Sequence, residues 1–288
     1  MSLGKEVIML LDINAYVGHW PFKQLQNNTC LKLLDRMNRF GVDVSVISNI
    51  NGIFYKNTQS ANEELYDEIR SDSRFRQRFI PFAVINPLYA GWRDDLETCA
   101  GKMGMKGVRF YPQYHDYGMS DPLLIEAVKL SRDLGLPVAF DIRMVDSRQR
   151  SWLDIPLFDY NAEIKKDIIT KEWSLRNIVP IVEAVPDAGF IIVNLANSVA
   201  LDEDDMDLFR KCNILFDTSG RALRGDDSLS EMLTGFGREK FAFGSHFPFL
   251  DYITGRLRIE SMNDSEADAH TKELIRSGNA LRFLGLSG

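Results

Sequence analysis

A chain of 288 residues with 45% hydrophobic and 26% charged residues has the composition of an ordinary globular protein, neither disordered nor fibrous. Its 34 Lys and Arg against 41 Asp and Glu give a net charge of −7 with no Lys/Arg block, which argues against a nucleic-acid surface. No apolar run reaches the ~18 residues of a membrane span, and Cys30, Cys99 and Cys212 are too scattered for a disulfide framework or a zinc ribbon.

The first apolar run, VIMLLDI (7–13), reads as a strand passing into the polar stretch NAYVGHW. On an extended chain Asp12, Asn14 and Tyr16 share one face. The apolar stretch after Lys5 is too short for a signal peptide and DINAY is no cleavage site, so a cytoplasmic location is expected. TCLKLLDRMNRFG then predicts a helix with Leu31, Leu34, Met37 and Phe40 as its apolar face and Gly41 as its stop. VSVISNI (44–50) predicts a strand, and SANEELYDEI a helix whose Ser60 and Glu63 form a capping box over the stripe Ala61, Leu65 and Ile69. After the strand FIPFAVI (79–85), a helix near 92–101 and the strand GVRFY (107–111), SDPLLIEAVKLSRDLG carries Asp121 as N-cap, Pro122 at the first helical position and Gly135 past the end. Further strands are PVAFDI (137–142), FIIVNL (190–195), ILFDT (214–218) and FAFGS (241–245), with helices near 174–185, 202–211 and 227–236 and a terminal one over 266–284.

Eight short strands, apolar on both faces and alternating with helices, predict an α/β protein with a parallel sheet, most simply a closed (β/α)8 TIM barrel in one domain over 1–288. An open doubly wound sheet is the alternative, but no G-x-G-x-x-G follows the first strand. Residues 144–173 form a connection far longer than the usual ~4–6 residues. It carries Trp152, Phe158, Tyr160 and Trp173 and reads either as a lid over the barrel mouth or as a rigid excursion or oligomer contact.

Five stretches in order carry a family resemblance: LLDINAYVG, ANEEL…RFRQRFIPFAVINP, GMKGVRFYP…DPLLIEAVKLSRDLGLPVAF, FAFGSHFPF and IRSGNALRFLGL. Together they resemble the amidohydrolase-related branch of the amidohydrolase superfamily, barrel proteins that include metal-dependent hydrolases and some decarboxylases. The resemblance implies two metal-binding histidines at i and i+2 on the first strand, one each on the fifth and sixth, and an Asp ending the eighth. Such a centre lowers the pKa of a bound water and polarises the substrate, and the Asp accepts the proton.

This chain departs at every one of those places. Asn14 and Tyr16 stand at the first-strand positions, Asp141 at the fifth, Asn194 at the sixth and His246 at the eighth. Its four histidines are His19, His115, His246 and His270. Asn and Tyr are poor zinc ligands beside His and Cys, so no metal of the family's type is expected and no cofactor is assigned. A rearranged divalent site, zinc or manganese on Asp12, His19, Asp141 and His246, is the alternative.

By alignment, Asp12, Asn14, Tyr16, Asp141, Asn194 and His246 converge at the C-terminal mouth of the barrel, where such enzymes keep their sites. His246 and Asp141 are the expected acid–base pair. Tyr16, Asn14 and Asn194 are candidate donors to a developing oxyanion, or buried polar groups that merely bond one another. Arg109, ending the fourth strand, and Arg143, two residues past Asp141, are candidate clamps for a substrate carboxylate, with an internal ion pair as the other reading. His19 and His115 read as surface loop histidines. The expected activity is metal-independent hydrolysis of a small carboxylate-bearing substrate, and the alternatives are a non-catalytic binding barrel, a decarboxylase or other lyase, or the rearranged metal site. Neither nucleic acid nor membrane is expected as a partner, and a homodimer is an open expectation of the resemblance.

Overall fold

The structure, a computed structural model, describes residues 9–21, 23–142, 144, 174–195, 201–221 and 228–286. The strands are β1 (Leu11–Val17), β2 (Val44–Asn49), β3 (Phe79–Pro81), β4 (Ala83–Val84), β5 (Val108–Phe110), β6 (Val138–Asp141), β7 (Phe190–Val193), β8 (Ile214–Asp217) and β9 (Phe241–Ala242). β3 and β4 are one strand position interrupted at Phe82, whose N–H still reaches Ile47 O at 2.8 Å. All pairings are parallel, β1 to β2 to β3 and then β4 through β9 in sequence order. The ends of the row meet. Ile13 N donates to Phe243 O at 2.9 Å, His246 N to Asn14 O at 2.8 Å and Tyr16 N to Phe247 O at 2.8 Å. The protein is a (β/α)8 barrel, with helices between successive strand positions.

Side chains sort by strand parity. Ile191 and Val193 of β7, Leu215 of β8 and Ala242 of β9 pack inside the barrel with Leu11 and Ile13. Their neighbours Phe190, Ile192, Phe216 and Phe241 face the helices. Burial on both faces explains why these strands are apolar throughout.

β1 breaks that parity once. Its register against β2 shifts between Asp12 and Ala15, a bulge that turns the strand over. Leu11 and Ile13 face inward before it, whereas Ala15 and Val17 join the outer core after it. The expected common face of Asp12, Asn14 and Tyr16 is therefore not formed. Asn14 and Tyr16 both accept from Arg109, while Asp12 packs with Ser45 and Ser245. The strand also runs to Val17, four residues past its expected end, because Tyr16 and Val17 still pair with Ser48 and Asn49.

Helix boundaries follow local capping. Thr29 accepts from Lys32 N at the start of Cys30–Phe40, and Gly41, at φ 66°, sends its N–H to Met37 O. The buried face of that helix is Cys30, Leu33, Leu34 and Met37, so Leu31, expected inside, is 49% exposed. Asp121 caps Pro122–Asp133 by accepting from Leu123 N at 2.8 Å. The Ser60–Glu63 capping box does not form: the helix Gln59–Ser71 already contains Ser60. Asn57 Oδ1 takes the Gln59 N–H instead, at 3.0 Å. The three cysteines are free and buried. Among the described residues no helix is long and apolar enough to cross a membrane.

Candidate active site

The site is built on strand ends. In the three-residue β5, Val108 and Phe110 belong to the outer core, so alternation sends Arg109 inward. It is 1% exposed. Its Nη1 donates to Asn14 Oδ1 at 3.0 Å and to the Tyr16 hydroxyl at 2.7 Å, and its Nη2 reaches Ile13 O at 3.4 Å. The guanidinium lies 4.5 Å from the centre of the Tyr16 ring, a further attraction to its π face. The Tyr16 hydroxyl passes the interaction on, donating to Asp141 Oδ2 at 2.5 Å.

The other end of Asn14 faces β8. Its Nδ2 donates to Asp217 Oδ2 at 2.7 Å and lies 3.4 Å from His246 Nδ1. With Oδ1 turned to a cation and Nδ2 to a carboxylate, the amide orientation is fixed by its partners. Asp217 also accepts from Asn194 N at 2.7 Å and from Ser219 Oγ at 2.5 Å. Asn194 Nδ2 is 3.5 Å from His246 Nε2, and His246 Nε2 is 2.6 Å from Met144 O. A carbonyl only accepts, so Nε2 carries a hydrogen. Asn194 and His246 have φ of 59° and 56°. This left-handed region is unusual for a histidine and serves to aim both side chains at one point.

Asp12 holds the turn that carries His246. Its Oδ1 accepts from Asn14 N and Ser245 N, both at 2.9 Å, and its Oδ2 from Ser245 Oγ at 2.6 Å.

Burial sets the charge states. It pushes Asp217 up to about 6 against the opposing hydrogen bonds from Ser219 and Asn14. It raises Asp12 above the usual carboxylate range and lifts Tyr16 well above an ordinary phenol, with Arg109 pulling the other way. Tyr16 therefore keeps its proton and acts as a donor. Burial also works against the charge on Arg109, but Tyr16, Tyr111, Asp141 and Asp217 more than offset it, and the guanidinium stays charged.

An aromatic wall stands over this polar floor. Phe249 stacks on the His246 ring at 5.1 Å, and Tyr16 meets the same ring edge-on at 5.5 Å. Trp20 packs against Phe249 and Phe54, both at 5.1 Å, and against Tyr114 at 6.2 Å.

Six of the residues singled out by sequence thus belong to one connected set: Asn14, Tyr16, Arg109, Asp141, Asn194 and His246. Among the described residues the Asp141 carboxylate receives Tyr16, whereas His246 sits between Asn14, Asn194 and Met144 O. Arg109 bonds an amide, a phenol and a carbonyl, not a carboxylate. Arg143 and residues 145–173 lie outside the described residues. His115 is not a surface residue: it is 8% exposed, with Nε2 3.1 Å from Gly52 O. Burial lowers it to about 4. His19 is exposed and lines a cavity of about 550 Å³ with Trp20, Gln24, Asn28 and Lys32. Asp217 was missed, although its position closing the apolar run ILFD matches that of Asp141 in VAFD.

The donor set does not suit a divalent ion. Most of the oxygens that could ligate already face a hydrogen-bond donor: Asn14 Oδ1 and the Tyr16 hydroxyl face Arg109, Asp141 Oδ2 faces the Tyr16 hydroxyl, both Asp217 oxygens face N–H or O–H groups, and both Asp12 oxygens face Ser245. His19, a member of the alternative set, is exposed while Asp12, Asp141 and His246 are buried. Among the described residues no three His, Cys, Asp or Glu side chains form a metal-holding group.

A family model described as amidohydrolase matches residues 15–286, beginning one residue past Asn14. No curated protein matches in sequence. Solved structures match at low identity. The 2,6-dihydroxybenzoate decarboxylase from Rhizobium is 15% identical over 97% of this chain and 99% of its own, with a TM-score of 0.69. The 5-carboxyvanillate decarboxylase from Sphingomonas paucimobilis is 15% identical over 97% and 100%, with a TM-score of 0.65. That from Novosphingobium aromaticivorans, solved with manganese and 4-hydroxy-3-methoxy-5-nitrobenzoic acid, is 14% identical over 98% of both chains, with a TM-score of 0.69. At such identities the likeness is one of fold.

Proposed function

The chain belongs to the amidohydrolase family, and from that premise we propose that it is a decarboxylase of a small aromatic carboxylic acid, with His246 as proton donor. The observation that carries this reading is the placement of one imidazole, bearing a defined Nε2 hydrogen, against a wall of aromatic rings at the barrel mouth. Stacking surfaces suit a flat ring, and a proton donor beside that ring suits protonation at carbon. The ring carbon that bears the carboxylate takes a proton from His246 Nε2, and solvent replaces it. The C–C bond then breaks, its electron pair restores the aromatic ring, and CO2 leaves. Arg109 supplies positive charge beneath the mouth, which favours an anionic substrate. Fold neighbours that are decarboxylases of hydroxylated benzoates support this reading over hydrolysis.

Incubation with a panel of hydroxybenzoic acids in D2O, followed by mass spectrometry, tests it. Deuterium at the vacated ring carbon is expected, with His246→Asn slower by roughly 10²–10⁴-fold, the usual weight of a positioned general acid. Hydrolysis of small lactones or amides without CO2 release would restore the hydrolase. No turnover of either panel would favour a barrel that binds without chemistry.

A further inference from the structure

We propose that Arg109 is the resident cation of this barrel, and that its guanidinium closes the centre to divalent metal ions. One nitrogen, Nη1, donates both to Asn14 Oδ1 and to the Tyr16 hydroxyl, at 3.0 and 2.7 Å. These are the two inward side chains of the first strand beyond the bulge, the positions where the family resemblance expects metal ligands. A buried charge is retained only when its surroundings answer it. Here the two Nη groups are answered: Arg109 is 1% exposed, with Nη1 on Asn14 and Tyr16, Nη2 on Ile13 O, and Asp141 one hydroxyl away.

A divalent ion reaching the same oxygens would sit within a few ångströms of a fixed positive charge. It would also have to displace hydrogens already seated on those lone pairs. The two cations exclude each other, by charge and by occupancy of the same acceptors. Asp217 reinforces the exclusion at one remove. By accepting from Asn14 Nδ2 at 2.7 Å it keeps the amide oxygen turned toward Arg109.

This inference does not rest on decarboxylation, because its readout is metal content. The protein is purified without chelator, incubated with Mn2+ or Zn2+, gel-filtered and measured by elemental mass spectrometry alongside thermal melts. The wild type and Arg109→Lys are expected to retain substoichiometric metal and to show no shift in Tm. The pair Asn14→His with Tyr16→His, Arg109 kept, is expected to remain equally empty. Adding Arg109→Met to that pair is expected to give one retained equivalent and a raised Tm. One equivalent in the wild type, or tight binding by the histidine pair with Arg109 in place, would overturn the inference. So would a folded triple variant that still refuses metal. Should the triple variant not fold, the wild type and the histidine pair decide alone.

Discussion

Asn14 Nδ2 donates to Asp217 Oδ2 at 2.7 Å, a buried bond between residues 203 positions apart that ties β1 to β8 across the barrel. Asn14→Ala removes this donor from a carboxylate and the acceptor from Arg109. A loss of about 2–4 kcal/mol is expected in urea unfolding, since charged partners are left in a dry interior. The exchange Asn14→Asp with Asp217→Asn keeps an amide facing a carboxylate. It should recover more than half of the loss of the worse single variant, and strictly additive single effects would show that the contact carries no coupling.

Much of this was legible beforehand. Strand positions, the Asp121 and Gly41 helix ends and the inward path of Arg109 follow from period, capping and alternation. The orientation of Asp12 did not, because a bulge inside β1 shifts every later side chain to the other face. Nothing in DINAY advertises that bulge; it is set by pairing with β2 and with residues 243–247. The partners of His246 were hidden for a similar reason. Left-handed backbone at His246 and Asn194 turns their side chains by an amount that strand alternation does not encode. His115 looked like a loop histidine because its burial comes from residues 52–53, over sixty positions away.

Two buried groups pull stability in opposite directions over one pH window. Asp217, raised to about 6 from an ordinary 3.8, favours the fold below the lower value, and that contribution is lost as pH rises through 6. His115, lowered to about 4 from 6.5, favours the fold above the upper value, and that contribution is lost as pH falls through 4. Each amounts to roughly 3 kcal/mol at the full shift. Asp217→Asn should therefore lose stability more steeply than the wild type between pH 7 and 4. His115→Phe should lose it less steeply. Urea midpoints at the two ends of the window, at unchanged m, measure both slopes, and parallel slopes for all three proteins would refute the assignment.

Tyr16→Phe removes only an oxygen, yet that oxygen accepts from Arg109 at 2.7 Å and donates to Asp141 at 2.5 Å. A loss of about 1–3 kcal/mol is expected, because both charged partners lose a bond in a buried site. Burial holds the phenol protonated far above neutrality, so wild-type activity should show no limb from Tyr16 between pH 6 and 9. A variant as stable as the wild type would mean that Arg109 and Asp141 close directly on each other.

Gly244 is where backbone meets the site most closely. A Cβ there would lie 2.6 Å from both Cβ and Oδ2 of Asp217, under any allowed contact distance. Asp217 cannot yield cheaply, since Asn14, Asn194 and Ser219 hold its carboxylate. Gly244→Ala should cost about 1–3 kcal/mol, the usual penalty for overpacking a filled interior. It should also move the titration of Asp217, because the added methyl pushes the carboxylate off its donors. Gly118→Ala is the control: nothing lies within 4 Å of its added carbon, so stability should hold or rise slightly through the unfolded state. Equal melting temperatures for the two variants would mean that β8 and the turn before His246 move apart freely, and the rigid packing claimed for the site would fail with them.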